Sequence, residues 1–193
     1  MNKKLVLAST SPFRRELLSK LQVPFEVASP NIDETALIGE KAAQTALRLA
    51  VEKARAIAPQ FPDALIIGSD QVASLDDLHI GKPGTHEKAV EQLKLMRGKT
   101  VVFNTTLALL NVANNHCQTK LVATKVRFRN LSDAEIESYL LKEKPYNCAG
   151  AAKSEGLGIA IIAAIEGPDP NALIGLPLIE LITMLSNEGV RVI

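Results

Sequence analysis

"LASTSPFRREL", residues 7–17, runs from an apolar segment straight into three hydroxyls, a proline and two adjacent arginines. Residues 4–8 read as a short strand without alternation, the pattern of a strand covered on both faces. Ser11 supplies a hydroxyl N-cap and Pro12 a first helical position, which predicts a helix from there to about Leu21. A strand that passes directly into a capped helix is a site for an anion. The first turn of a helix leaves backbone N–H groups unpaired, and its dipole adds partial positive charge there. Ser9, Thr10 and Ser11 add donors, and Arg14 or Arg15 can grip an oxyanion through its fork of N–H groups. The same residues also suit an ordinary capped helix with solvated arginines. The stretch is no Walker loop, since it lacks both the glycines and a Gly-Lys-Ser/Thr.

Further along, the mixing of strands and helices continues. "PFEVAS" (24–29) is a second strand candidate, and Glu40 to about Ala58 is a helix with an apolar stripe at Leu47, Ala50, Val51 and Ala54. "ALIIGSD" (64–70) is another continuous apolar strand, and Thr85–Arg97 a helix ended by Gly98. Two longer strands flank the turn "NVANNH", and "TKVRFRN" alternates as a strand with one wet face should. Ser132 and Glu135 form a capping box for a helix to about Lys144. "LGIAIIAAI" (157–165) reads as a buried strand, and a closing helix covers about Leu178–Asn187. The class is α/β with an antiparallel portion in the middle. With 193 residues and no linker or repeat, one domain over 1–193 is expected.

Composition narrows the function. The formal net charge is +1 and the charges are scattered, which argues against a duplex nucleic-acid binder. Cys117 and Cys148 form neither a disulfide framework nor a zinc pattern, so a reducing cytoplasm fits. The apolar run in "MNKKLVLAST" is too short for a secretory signal, and no stretch is long enough to span a membrane. His79, His86 and His116 lack metal-ligand spacing and read as surface residues.

Five further places could carry chemistry. Asp70 ends an apolar strand, where ligands gather in open α/β sheets, although a strand-end aspartate also caps turns. Asp33 and Glu34 in "DET" add carboxylates that, with Asp70, could hold magnesium or manganese alongside substrate phosphates. Lys53 rises from an apolar flank, either snorkelling to water or pointing into a pocket, and Lys82 in "GKP" has the same two readings. "AGAAKSEGLG" (149–158) is rich in small residues and lets a ligand approach the backbone, or is a plain flexible connection.

In their order along the chain, "LASTSPFRREL", "DET", "RLAVEKA", "IIGSDQV", "GKP", "CAGAAKSEGLG" and "NALIGLPL" resemble the Maf family of nucleotide pyrophosphatases. The match covers nearly the whole chain. The resemblance implies a mixed sheet with flanking helices and a central cleft between two lobes, related to the inosine-triphosphate pyrophosphatases. It implies hydrolysis of a nucleoside triphosphate to monophosphate and pyrophosphate with a divalent metal. Phe13, Gln71 and Glu155 are similar to the branch acting on 7-methyl-GTP; the branch acting on dTTP and UTP has arginine, threonine and glutamine there. By the same resemblance Asp70 is the catalytic base and, with Glu34, a metal ligand. Ser9, Ser11, Arg14, Lys53 and Lys82 then face the phosphates. The alternatives are a pyrimidine or broad-specificity pyrophosphatase, or a non-catalytic nucleotide-binding regulator of cell division. "NALIGLPLIELITML" is apolar enough to contribute to a homodimer face.

Overall fold

The computed structural model describes residues 3–193. Its elements in chain order are β1 (Leu5–Ala8), α1 (Pro12–Ser19), β2 (Glu26–Ala28), α2 (Ala42–Ile57), β3 (Leu65–Leu75), β4 (Leu78–Ile80) and α3 (His86–Met96). They continue with β5 (Thr100–Asn111), β6 (His116–Phe128), α4 (Asp133–Glu143), β7 (Ile162–Glu166) and α5 (Leu178–Asn187). The seven strands form one mixed sheet in the order β2-β1-β3-β5-β6-β7, with β4 paired to β3. β1 is parallel to β2 and β3, while β4 and β7 run antiparallel to β3 and β6.

Two compact units divide the chain. The first holds the chain up to Gln71, Thr105–Val122 and Asp169–Ile193, and the second holds Val72–Asn104 and Ala123–Pro168. In the first, the unalternating apolar strands are explained by cover on both faces. Leu5, Leu7, Leu65, Ile67, Leu107 and Leu109 pack with Leu17 and Leu18 of α1 and Leu181 and Leu185 of α5. Val6, Ala8, Ile66 and Leu110 face the other way, onto Ala54 and Ile57 of α2. Burying a side chain of this size stabilises by about 1.5–3 kcal/mol, so these apolar positions on both faces hold the helices onto the sheet.

The second unit packs α3 against α4, α3 against the turn at 149–151 and α4 against the turn at 157–161. Ser132 caps α4 and Glu135 closes the box, its Oε2 accepting from Ser132 N at 2.7 Å. Gly98 follows α3 at φ +71°, a left-handed conformation that suits glycine. β6 alternates as expected, with Val122, Thr124, Val126 and Phe128 buried.

Not every expectation holds. Asp70 does not end its strand: β3 runs on through it to Leu75, where it turns into β4. "LGIAIIAAI" is not a buried strand: Leu157–Ile161 is a 3-10 turn, and only Ile162–Glu166 is strand. β7 pairs with β6 alone at the end of the sheet order, and Ile165 stays exposed although the run before it is apolar. The β3–β4 hairpin through Asp76 was also unforeseen; Asp76 lies at φ +52°, which aspartate tolerates better than most side chains. No helix among the described residues is long and apolar enough to cross a membrane.

Candidate active site

Parallel pairing sets Ala8 beside Gly68, so β1 and β3 deliver their following residues to the same end of the sheet. Beyond Ala8 lie Ser9 and the start of α1; beyond Gly68 lie Ser69, Asp70 and Gln71. Successive strand residues face opposite ways. Gly68 and Asp70 therefore face α2, while Ser69 and Gln71 face the chain segment before α5.

The α2 side is drawn in by Gly68. A Cβ there would lie 2.0 Å from Ala50 O and 3.0 Å from Ala54 N, so only glycine permits this approach of strand and helix. Lys53, between those two contacts in sequence, is thereby brought to Asp70. Its Nζ donates to Asp70 Oδ1 at 2.6 Å and lies 3.0 Å from Glu34 Oε1. Lys53 and Asp70 are buried, with side-chain exposures of 5% and 8%, while Glu34 is half exposed. A charge taken out of water must be paired, and here one ammonium serves two carboxylates. Of the two readings open for Lys53, the pocket is the one the structure takes.

Glu34 sits on a loop that α2 holds down. Arg48 donates to both oxygens of Glu40 at 2.8 Å and to Thr35 O at 3.0 Å. Arg48 and the Leu37 N–H together lower the Glu40 carboxyl to about 2. Asp33, the other acid of "DET", instead accepts from the N–H and hydroxyl of Thr35 and lies outside the cluster.

On the opposite face, the loop before α5 supplies carbonyls. Ser69 Oγ and Arg14 Nε both donate to Gly175 O, at 3.0 and 2.8 Å. Gln71 Nε2 faces Ala172 O, Leu173 O and Thr105 Oγ1 at 2.9–3.0 Å, which leaves the amide oxygen of Gln71 as the end free to meet a ligand. Burial lowers the Arg14 guanidinium, and the nearby Asp70 and Glu34 carboxylates partly offset that, so Arg14 shares their field. Arg15 is turned away into a groove with Pro12, Glu16 and Phe25. Ser9 Oγ accepts from Ser11 N and Ser11 Oγ from Arg14 N, so each hydroxyl keeps its hydrogen for an outside acceptor.

That carbonyl loop depends on Asp169, which the sequence reading passed over. α5 begins after Pro177, which has no capping side chain. Asp169, almost fully buried, takes over the role: Oδ2 accepts from Ile179 N at 2.7 Å and Oδ1 from Asn171 N at 2.8 Å. The signals were "PDPN", an aspartate placed for a turn, and a proline where a helix needs a cap. We predict that Asp169→Ala lowers stability by about 1–3 kcal/mol by orphaning two partly buried N–H groups, those of Asn171 and Ile179. An unchanged thermal midpoint would remove Asp169 from this role.

Of the remaining expected residues, Lys82 and Glu155 lie in the second unit and Phe13 in the first. Lys82 is exposed on a loop tied down at both ends, Gly150 N donating to Gly81 O and Gly84 N to Tyr146 O. Glu155 is exposed, its carboxylate meeting only the Ser154 hydroxyl at 3.5 Å among the described residues. Phe13 is half-buried on the first turn of α1.

Among the described residues no three His, Cys, Asp or Glu side chains gather to hold a metal. The pair Asp70 and Glu34 does converge on one cation, the Lys53 ammonium. Two carboxylates completed by substrate phosphates and water form a donor set that suits magnesium or manganese.

Comparison with known proteins gives a consistent result. A family model described as Maf-like protein matches residues 4–188. A Methylobacillus flagellatus protein named 7-methyl-GTP pyrophosphatase is 63% identical, over 98% of this chain and 98% of its own. One of the same name from Albidiferax ferrireducens is 54% identical over 100% and 97%. Among solved structures, the Staphylococcus aureus Ham1 protein superposes with a TM-score of 0.48 at 14% identity, over 66% of this chain and 73% of that one.

Proposed function

The chain belongs to the Maf family, and on that premise we propose that it is a cytoplasmic nucleoside triphosphate pyrophosphatase, one catalytic domain that converts 7-methyl-GTP to 7-methyl-GMP and pyrophosphate. The observation that carries this reading is the convergence of Asp70 and Glu34 on Lys53 Nζ, where β1 ends beside the middle of β3.

Asp70 orients a water for in-line attack on the α-phosphorus and takes its proton. A divalent metal held by Asp70 and Glu34 would supply charge neutralisation on the triphosphate and acidify the attacking water. Lys53 has three N–H donors, two of them committed to carboxylates, so one remains for a phosphate oxygen. Ser9 and Ser11 donate their free hydroxyl hydrogens, and Arg14 and Lys82 balance the charge on the departing pyrophosphate. Arg14 does so from a fixed position, because its Nε is anchored on Gly175 O.

Recognition of the base falls to Phe13, Gln71 and Glu155. N7-methylated guanine carries positive charge on a flat ring, and an aromatic face attracts it by about 0.5–2 kcal/mol. Glu155 accepts from the N1–H and N2–H of guanine. Against uracil or thymine it would meet carbonyl oxygens and lose those bonds, at a cost of about 1–3 kcal/mol or more. Selection is therefore partly repulsive.

The test is the triple variant Phe13→Arg, Gln71→Thr, Glu155→Gln. It is expected to prefer UTP and dTTP, read as the ratio of kcat/KM values. A triple variant that still prefers 7-methyl-GTP would sink the base assignment while leaving the reaction standing.

A further inference from the structure

The "AKSEG" loop that presents Glu155 is wound onto one face of α4 by two side chains four residues apart, Tyr139 and Glu143. Tyr139 Oη donates to Ala151 O at 2.8 Å and accepts from Lys153 N at 3.4 Å. Glu143 Oε1 accepts from Lys153 Nζ at 2.6 Å, and its Oε2 accepts from Leu157 N at 2.7 Å. Glu143 thus touches the loop on both sides of Glu155. The loop closes over the carboxylate so tightly that a Cβ on Gly156 would lie 2.8 Å from Glu143 Oε2. A Cβ on Gly158 would likewise lie 2.3 Å from Lys153 O.

The charges matter as much as the shape. Lys153 stands two residues before Glu155 and is the nearest cation to it in sequence. Its ammonium is drawn away to Glu143, whose side chain is only 12% exposed. Glu155 is left exposed, without a cationic partner in its own loop. A carboxylate meant to read two N–H donors on a base has to be kept in that state. Paired to Lys153, it would offer fewer acceptor sites and no net negative charge.

From this geometry we infer that Glu143 is a specificity-positioning residue: it sequesters Lys153 and fixes the loop, so that the Glu155 carboxylate stands free to select the base. This rests on the proposed reading of Glu155.

The experiment compares steady-state kinetics on 7-methyl-GTP and UTP for wild type, Glu143→Gln, and Glu143→Gln combined with Lys153→Met. In Glu143→Gln the released ammonium neutralises Glu155. The KM for 7-methyl-GTP is then expected to rise about tenfold with kcat little changed, the sign of lost ground-state binding, while the KM for UTP falls as the repulsion from Glu155 is relieved. Removing the ammonium in the double variant is expected to restore KM to near the wild-type value. The inference is overturned by an unchanged KM in Glu143→Gln, by equal losses on both substrates, or by a double variant no better than the single. If Glu143→Gln does not fold, the double variant, which leaves no unpaired charge, decides alone: a near wild-type KM supports the inference and a tenfold rise contradicts it. A wild-type enzyme with no preference for 7-methyl-GTP would instead fail the proposed function, and that result shows before any variant is made.

Discussion

Asp70→Asn is expected to abolish detectable turnover while the protein still binds its nucleotide. An asparagine has nearly the same shape but cannot take a proton, and loss of a positioned general base costs about 10²–10⁴ in rate. The variant also weakens the carboxylate pair that suits a metal. The fold should survive. Lys53 loses one partner and keeps Glu34, 3.0 Å away, so the destabilisation falls below the about 3–5 kcal/mol of a fully orphaned buried charge. Nucleotide binding by calorimetry, with pyrophosphate release followed in parallel, separates the two effects. Activity near wild type would take the role of base away from Asp70; loss of binding together with activity would make it a structural residue.

Gly68→Ala is expected to be the most damaging single methyl group that can be added to the chain near the site. The new Cβ would lie 2.0 Å from a helix carbonyl, and a helix backbone cannot step aside as a flexible side chain can. Overpacking of this kind costs about 1–3 kcal/mol and occasionally more, and the backbone obstacle puts this case at the upper end. Each kcal/mol shifts the thermal midpoint of a domain this size by about 2–4 °C. Any displacement of α2 from β3 also carries Lys53 away from Asp70, so activity should fall by more than the loss of stability explains. A Gly68→Ala protein with wild-type midpoint and turnover would show that the approach of strand and helix is not what builds the site.

These two residues show what a sequence makes visible and what it hides. Asp70 was legible because a carboxylate following an apolar run is an anomaly that local pattern detects, although β3 runs on through it to Leu75 instead of ending there. The Ser11–Pro12 helix start, the Ser132–Glu135 box and the alternation of β6 were legible for the same reason: each is a signal contained in a few neighbouring residues. Gly68 could be seen as a glycine but not explained, because its reason is Ala50 O, eighteen positions earlier in the chain.

The same limit accounts for the rest. Lys53 could have snorkelled to water; only the register of β3 against α2 decides that it pairs with Asp70. Asp169 caps a helix ten residues away, and Glu143 holds a loop ten to fourteen residues on. No periodicity marks such contacts. The misread run at 157–165 has a related cause. Its apolar content was taken as burial, but burial depends on the neighbours of β7, and it has one paired strand. Glycine at 158, read as a sign of close ligand approach, is required first by the backbone at Lys153 O, and glycine at 156 lies against the Glu143 carboxylate.

The most direct test of the central claim is pyrophosphate release from 7-methyl-GTP, GTP, UTP and dTTP, each with and without magnesium or manganese, with Asp70→Asn as the control for contaminating activity. The expected result is metal-dependent release chiefly from 7-methyl-GTP, absent in the variant. Release chiefly from UTP and dTTP would keep the reaction and contradict the roles of Phe13, Gln71 and Glu155. No release from any of the four, with nucleotide still bound, would contradict the enzyme outright and leave a nucleotide-binding regulator.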